Sequence, residues 1–154
     1  MGVEILVSRK NDSPERSFIR DQSGMRPLAG IFFNVDHLTD QLGQKRLTDF
    51  FDAAEAMAEA QAETRAENNE EPLSDEEWER LVEENTEWFP PEEAAETVKA
   101  LIGFFEKNAG YRVVDEVFSE IIVGADVIDD LRECLDLINF LIKENDLFHF
   151  VQII

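Results

Sequence analysis

The chain has 154 residues, with 35 Asp and Glu against 14 Lys and Arg, a net charge of −21. A field of that sign repels nucleic acid and anionic membranes and attracts basic surfaces. A single cysteine, Cys134, excludes an internal disulfide and fits a reducing, cytoplasmic setting. No apolar run approaches the ~20 residues that a bilayer-spanning helix needs.

The elements follow in chain order. Met1 to Val7 lacks a basic leader with a long apolar run, so no signal peptide is expected. Val3 to Val7 is short, apolar and β-branched and predicts a strand. Arg9 to Pro27 is polar and rich in turn signals (Asn11-Asp12-Ser13-Pro14, Ser23-Gly24), with Ser17-Phe18-Ile19 as a possible short strand. Leu28 to Phe33 predicts a second strand, expected in the same sheet because no crossover helix separates the two. Asp36 is a candidate cap for a short helix carrying Leu38 and Leu42 and stopping near Gly43.

From about Gln44 the spacing predicts a longer helix running into Ala53 to Ala66. Leu47, Phe50, Phe51, Ala54, Met57 and Ala58 form its apolar stripe. Beyond Ala58 the stripe holds only alanine, which supports helix but buries little. Glu67 to Pro72 breaks the pattern, so an exposed acidic loop is expected around residues 67–73. Ser74-Asp75-Glu76-Glu77 is a capping box opening a helix with Trp78, Leu81 and Val82. Pro91-Glu92-Glu93 starts another, with the proline and two acids suited to the first turn. Ala94, Ala95, Val98, Leu101, Ile102 and Phe105 line it, and Asn108-Ala109-Gly110 ends it.

Val113, Val114, Val117, Phe118, Ile121 and Ile122 repeat at helical spacing, although Ile121-Ile122-Val123 suits a strand. Val127 to Ile142 keeps an unbroken helical stripe, ended by Asn145-Asp146. Leu147 to Ile154 predicts a terminal strand that is apolar on both faces, as interior strands are. The fold class is therefore α+β: a helix-rich single domain over residues 1–154. Its small sheet comes from the N- and C-terminal strands, covered by a helical middle.

Chemistry-bearing motifs are sparse. Gly-rich phosphate loops and Gly-x-Ser-x-Gly are absent. His37 and His149 make no His-x-x-x-His pair, and no calcium loop or Glu-x-x-His pair occurs. No catalytic residue, metal site or cofactor is assigned, and the chain reads as a non-enzyme. His149 lies in an apolar strand and suits a buried, hydrogen-bonded role. His37, beside Asp36, suits a helix start. Cys134 lies among Leu131, Leu135 and Ile138 and suits core packing. The N-terminal bases Arg9, Lys10, Arg16, Arg20 and Arg26 suit internal charge balance rather than an RNA site, which the overall field opposes.

The acid itself is unevenly placed. Asp49 to Glu96 holds 18 acids and two bases, Arg65 and Arg80. This middle is either a solvated face or a docking surface for a basic protein. Trp78, Trp88 and Phe89 are either anchors to the core or interface hot spots.

The segment Trp88-Phe89-Pro90-Pro91-Glu92-Glu93-Ala94-Ala95, through Val98 and Leu101, resembles the aromatic, Pro, Glu-Glu, helix pattern of small bacterial YfbM-like domains. Met1-Gly2-Val3 and the closing helix and strand, Leu131 to Ile154, are similar in kind. Related acidic α+β domains occur among the immunity proteins that neutralise bacterial toxins. The Ala-rich acidic stretch Asp52 to Glu71 departs from that pattern, and the resemblance carries over no functional residue.

Resemblance and charge together lead to one expectation: a non-catalytic, cytoplasmic immunity-type protein that docks on a basic toxin or nuclease. Asp75, Glu76, Glu79, Glu83, Glu84 and Glu87, around Trp78 and Trp88, would make the contact. The alternative is a soluble or self-associating bacterial domain with no dedicated partner, in which case a homo-oligomer is open. Neither nucleic acid nor membrane is expected as a partner.

Overall fold

The computed structural model describes residues 3–11, 22–114 and 120–153. The fold is α+β. Its described residues gather into two compact units: one made of the chain up to Phe51 and from Phe89 on, the other Asp52–Trp88.

In the first unit, β1 (Glu4–Arg9) pairs antiparallel with β4 (Phe148–Ile153), joining the two ends of the chain. Leu6 lies opposite Val151 and Val7 opposite Phe150. Between them in sequence come α1 (Arg26–Ile31), α2 (Asp36–Gln41), a 3₁₀ turn (Leu47–Phe50) and α5 (Pro91–Lys107). A short hairpin, β2 (Arg112–Val114) with β3 (Ile121–Val123), and α6 (Gly124–Lys143) complete the unit. The second unit holds α3 (Ala54–Glu67) and α4 (Asp75–Asn85).

The core of the first unit follows from periodicity. Val98, Leu101 and Phe105 on α5, and Val127, Leu131, Ile138 and Leu141 on α6, are fully buried where the two long helices pack together. Ile5 and Val7 of β1 reach the same core. Phenylalanines surround β4: the Phe150 ring meets Phe32 at 5.3 Å and Phe148 at 5.2 Å, both edge-on, and Phe148 stacks on Phe50 at 5.8 Å. Offset and edge-to-face pairs of this kind add to area burial.

Among the described residues, one ion pair is buried in this unit. Arg9 Nε donates to Asp146 at 2.6 Å, and both side chains are almost fully enclosed. The Asp146 carboxylate also accepts from Asn11 at 2.9 Å and from the Leu147 N–H at 2.8 Å. The Arg9 guanidinium lies over the Phe140 ring at 5.4 Å. Arg26 pairs with Glu4 at 3.1 Å, so two of the N-terminal bases do balance internal charge; Arg16 and Arg20 lie outside the described residues.

Several expectations are corrected. Leu28 to Phe33 is not a strand: Arg26–Ile31 is helical, with Pro27 in its first turn. Proline's fixed φ suits that position, and the Asp130 carboxylate accepts the Leu28 N–H at 3.0 Å, one of the first-turn donors that lack a helical partner. Leu28, Ala29 and Ile31 are buried at helical, not alternating, spacing.

The long helix from Gln44 is interrupted. Phe51 adopts extended backbone angles (φ −87°, ψ 137°) and bridges Phe150 of β4. A helix cannot pass through a residue held this way, so α3 begins only at Ala54. The helical spacing of Val113 to Ile122 is overridden as well: the β-branched clusters at Val113-Val114 and Ile121-Ile122-Val123 pair as a hairpin. Asp36 is the first residue of α2 rather than its cap, a position Val35 takes. The Asp36 carboxylate instead accepts from the Thr48 hydroxyl at 3.1 Å, and burial raises its pKa against that bond.

Among the described residues β4 pairs with one strand, β1, and is not an interior strand of a wider sheet. Its outer edge is nonetheless covered by single-residue bridges: Phe51 to Phe150, and Phe89 to Phe148 with reciprocal bonds of 2.8 and 3.0 Å. The possible strand at Ser17-Phe18-Ile19 lies outside the described residues.

Candidate partner-docking surface

The second unit, Asp52–Trp88, contains 14 acids and two bases and so carries −12 of the net charge. Its two helices are closed by local chemistry. α3 ends with Asn69 in the left-handed region (φ 55°). The Glu70 N–H donates to the Arg65 carbonyl at 2.9 Å and the Asn69 N–H to Ala66 at 3.2 Å. These are the two bonds of a Schellman ending, with asparagine in the place glycine usually takes. α4 starts at Ser74, whose Oγ accepts the Glu77 N–H at 3.1 Å and donates to the Glu77 carboxylate at 3.3 Å. Residues 68–72 between the helices are exposed.

α3 and α4 pack against each other. Arg65 reaches Glu77 at 3.1 Å. Burial alone would raise the Glu77 pKa, but the Arg65 charge and the bonds from Ser74 outweigh it, and the carboxyl is held below its usual range.

The faces of α4 are cleanly divided. Glu77, Trp78, Leu81, Val82 and Asn85 are half-buried, while Asp75, Glu76, Glu79, Arg80, Glu83 and Glu84 are exposed. At 100° per residue these sets fall on opposite sides of the helix. Five of the six expected carboxylates therefore share one solvent face. Glu87 is exposed beyond the end of α4, and Trp88 is half-buried next to it. Trp78 faces away from the acids, so it is not surrounded by them.

Neutralisation on this face is slight. Arg80 lies 3.9 Å from Glu84; among the described residues no ion pair reaches Asp75, Glu76, Glu79 or Glu83. Asp75 and Glu79, and Glu79 and Glu83, stand at i,i+4, where like charges cost about 0.2–0.5 kcal/mol per pair. The helix tolerates this in part because Asp75, Glu76 and Glu77 occupy its first turn, where the helix dipole favours acid.

No family model, curated protein or solved structure matches this chain.

The remaining sequence candidates sit elsewhere. His37 Nε2 lies 3.2 Å from the Tyr111 hydroxyl on an exposed surface. His149 is buried in β4. Cys134 is fully enclosed, and burial pushes its thiol pKa far up, which removes the thiolate a nucleophile needs. Among the described residues no three His, Cys, Asp or Glu side chains gather as a metal set. No helix there is long and apolar enough to cross a membrane.

Sequence reading anticipated the acids and the Ser74 cap. It missed that Arg65, one of the two local bases, is spent on Glu77. The helical spacing of Glu77, Trp78, Leu81 and Val82 would have shown that Glu77 belongs to the inward face.

Proposed function

We propose that the protein is a non-catalytic, cytoplasmic binding protein of the immunity type, docking on a basic toxin or nuclease through α4. The observation that supports this is the exposed carboxylate face Asp75, Glu76, Glu79, Glu83 and Glu84, which carries one arginine. Such a face matches a basic substrate groove, and opposite charge raises association rates toward about 10⁸ M⁻¹s⁻¹ at low salt. It also accepts self-repulsion that a cationic partner would relieve. Glu87 and Trp88 extend the surface at its edge, and Trp78 braces it from behind.

The test compares wild type with Glu79→Lys/Glu83→Lys/Glu84→Lys as bait in extract of the source cells. A basic protein held by wild type at low salt, released at high salt, and lost from a variant whose melting is unchanged supports the reading. Equal capture by both baits, or none by either, overturns it in favour of a soluble or self-associating domain.

A further inference from the structure

The second unit closes with little to bury. Its fully buried residues are Ala54 and Ala58, one turn apart on α3. Trp78, Leu81 and Val82 of α4 are half-buried, and Met57 of α3 is 53% exposed. The first unit, by contrast, encloses Val98, Leu101, Phe105, Val127, Leu131 and Ile138 in a core built, among the described residues, from its own side chains. Helices of 14 and 11 residues are marginal alone in water, so α3 and α4 depend on their thin mutual contact. Charge works against it. Glu55, Glu59, Glu63 and Glu67 stand four apart at exposed positions of α3, as Asp75, Glu79 and Glu83 do on α4. Among the described residues no ion pair reaches any of these carboxylates. The ion pair that ties the two helices is Arg65 to Glu77, at 3.1 Å.

We infer that α3 and α4 form a separate cooperative unit, opened by its own charge and closed by neutralisation while the first unit stays folded. Proteins open locally in such units, and a segment with few buried apolar contacts lies at the weak end of the range. A like-charge pair at i,i+4 weakens a helix by roughly a factor of 1.4–2.3. The carboxylate ladders make three such pairs in α3 and two in α4, which together lower the closing equilibrium about 5- to 70-fold. Salt removes this repulsion, because the Debye length falls from about 30 Å at 0.01 M to about 3 Å at 1 M. It also screens the Arg65–Glu77 attraction, but that is a single pair against the ladders. Such gating needs no partner, and a basic surface seated on α4 would close the unit as salt does.

The test follows amide exchange of the full chain, as protection factors at one pH, in about 0.01 M and about 1 M sodium chloride. At low salt α3 and α4 are expected to share one protection level, at least about tenfold below that of α5 and α6. At high salt that shared level rises about fivefold or more. Glu59 and Glu79 each take part in two of the like-charge pairs, so Glu59→Gln/Glu79→Gln removes four of the five and leaves the caps and the inward faces intact. It is expected to raise α3 and α4 protection about 4- to 30-fold at low salt, with α5 and α6 as in wild type and little further gain from salt. Arg65→Gln cuts the bond between the helices and is expected to lower the protection of both by about 1.5- to 5-fold. Three results overturn the inference: α3 and α4 as protected as α5 and α6 at low salt, a response in one of the two helices without the other, or no rise in Glu59→Gln/Glu79→Gln.

Discussion

Removing Asp146 should be among the most damaging single changes in this protein. Its carboxylate is 2% exposed as a residue and accepts three hydrogen bonds, one of them from an equally enclosed arginine. Asp146→Ala leaves the Arg9 guanidinium charged and enclosed, because arginine does not deprotonate. Loss of one partner from such a pair costs about 3–5 kcal/mol. For a chain of this length each kcal/mol lowers the melting temperature by roughly 2–4 °C, so a fall of roughly 6–20 °C is expected. Arg9→Met removes that charge while keeping most of the stem volume over Phe140. The double variant Arg9→Met/Asp146→Ala should therefore lose less than the two single changes together, by about 0.5–3 kcal/mol. Asn11 is exposed and can turn to water, so it does not add a large penalty. The assay is urea unfolding of the four proteins at constant ionic strength, followed by circular dichroism. A cost below about 1 kcal/mol for Asp146→Ala, or strict additivity in the cycle, would refute the reasoning.

Three further outcomes are expected. Gly124→Ala places a Cβ 2.6 Å from Phe105 and 2.9 Å from the Asn108 carbonyl, and overpacking of that kind costs about 1–3 kcal/mol; Gly103→Ala, in the middle of α5 with nothing within 4 Å, should instead gain about 0.5–1 kcal/mol. Opposite signs in thermal melts check the pair. Asp130 has its pKa raised by burial, against the bond from Leu28. A carboxyl raised in the fold contributes stability below its unfolded pKa and loses it as pH rises through the folded value. Asp130→Asn keeps an acceptor for Leu28, so it should melt higher than wild type at neutral pH, with the gap closing below the ordinary value of 3.8. Ser74→Ala removes the cap of α4 and should cost about 1 kcal/mol, seen as faster amide exchange in Asp75–Asn85 with α5 unchanged.

How far the sequence could be read depended on whether the deciding interaction was local. α5 and α6 were legible because their stripes are long and their start and stop residues conventional, from Pro91 to Asn108 and through Asn145. The Ser74 cap was legible because its partner is three residues away. Phe51 was not: its extended backbone is set by Phe150, almost a hundred positions later. Leu28 to Phe33 misled because its composition suits a strand, while Pro27 and the distant Asp130 favour a helical turn. At the candidate surface the acids were visible in the composition, but their division from Trp78 needed the helix phase of α4. Gln22, in a polar stretch that only signalled turns, gave no hint that its amide would bond both the N–H and the carbonyl of Val7.

The two bridges on the outer edge of β4 bear on how this chain could change. Phe51 and Phe89 leave and re-enter the first unit at residues whose partners, Phe150 and Phe148, lie two positions apart on one strand. That is roughly 7 Å by the rise of a strand. The acidic hairpin is thus spliced in at a nearly closed point. The closure entropy of such an insert grows only with the logarithm of its length, about 0.6 kcal/mol per doubling. Its helices can be lengthened, recharged or exchanged for others while the β1–β4 register stays as it is. The β1–β4 pairing is the fixed part of the chain, and the charged hairpin the part open to replacement.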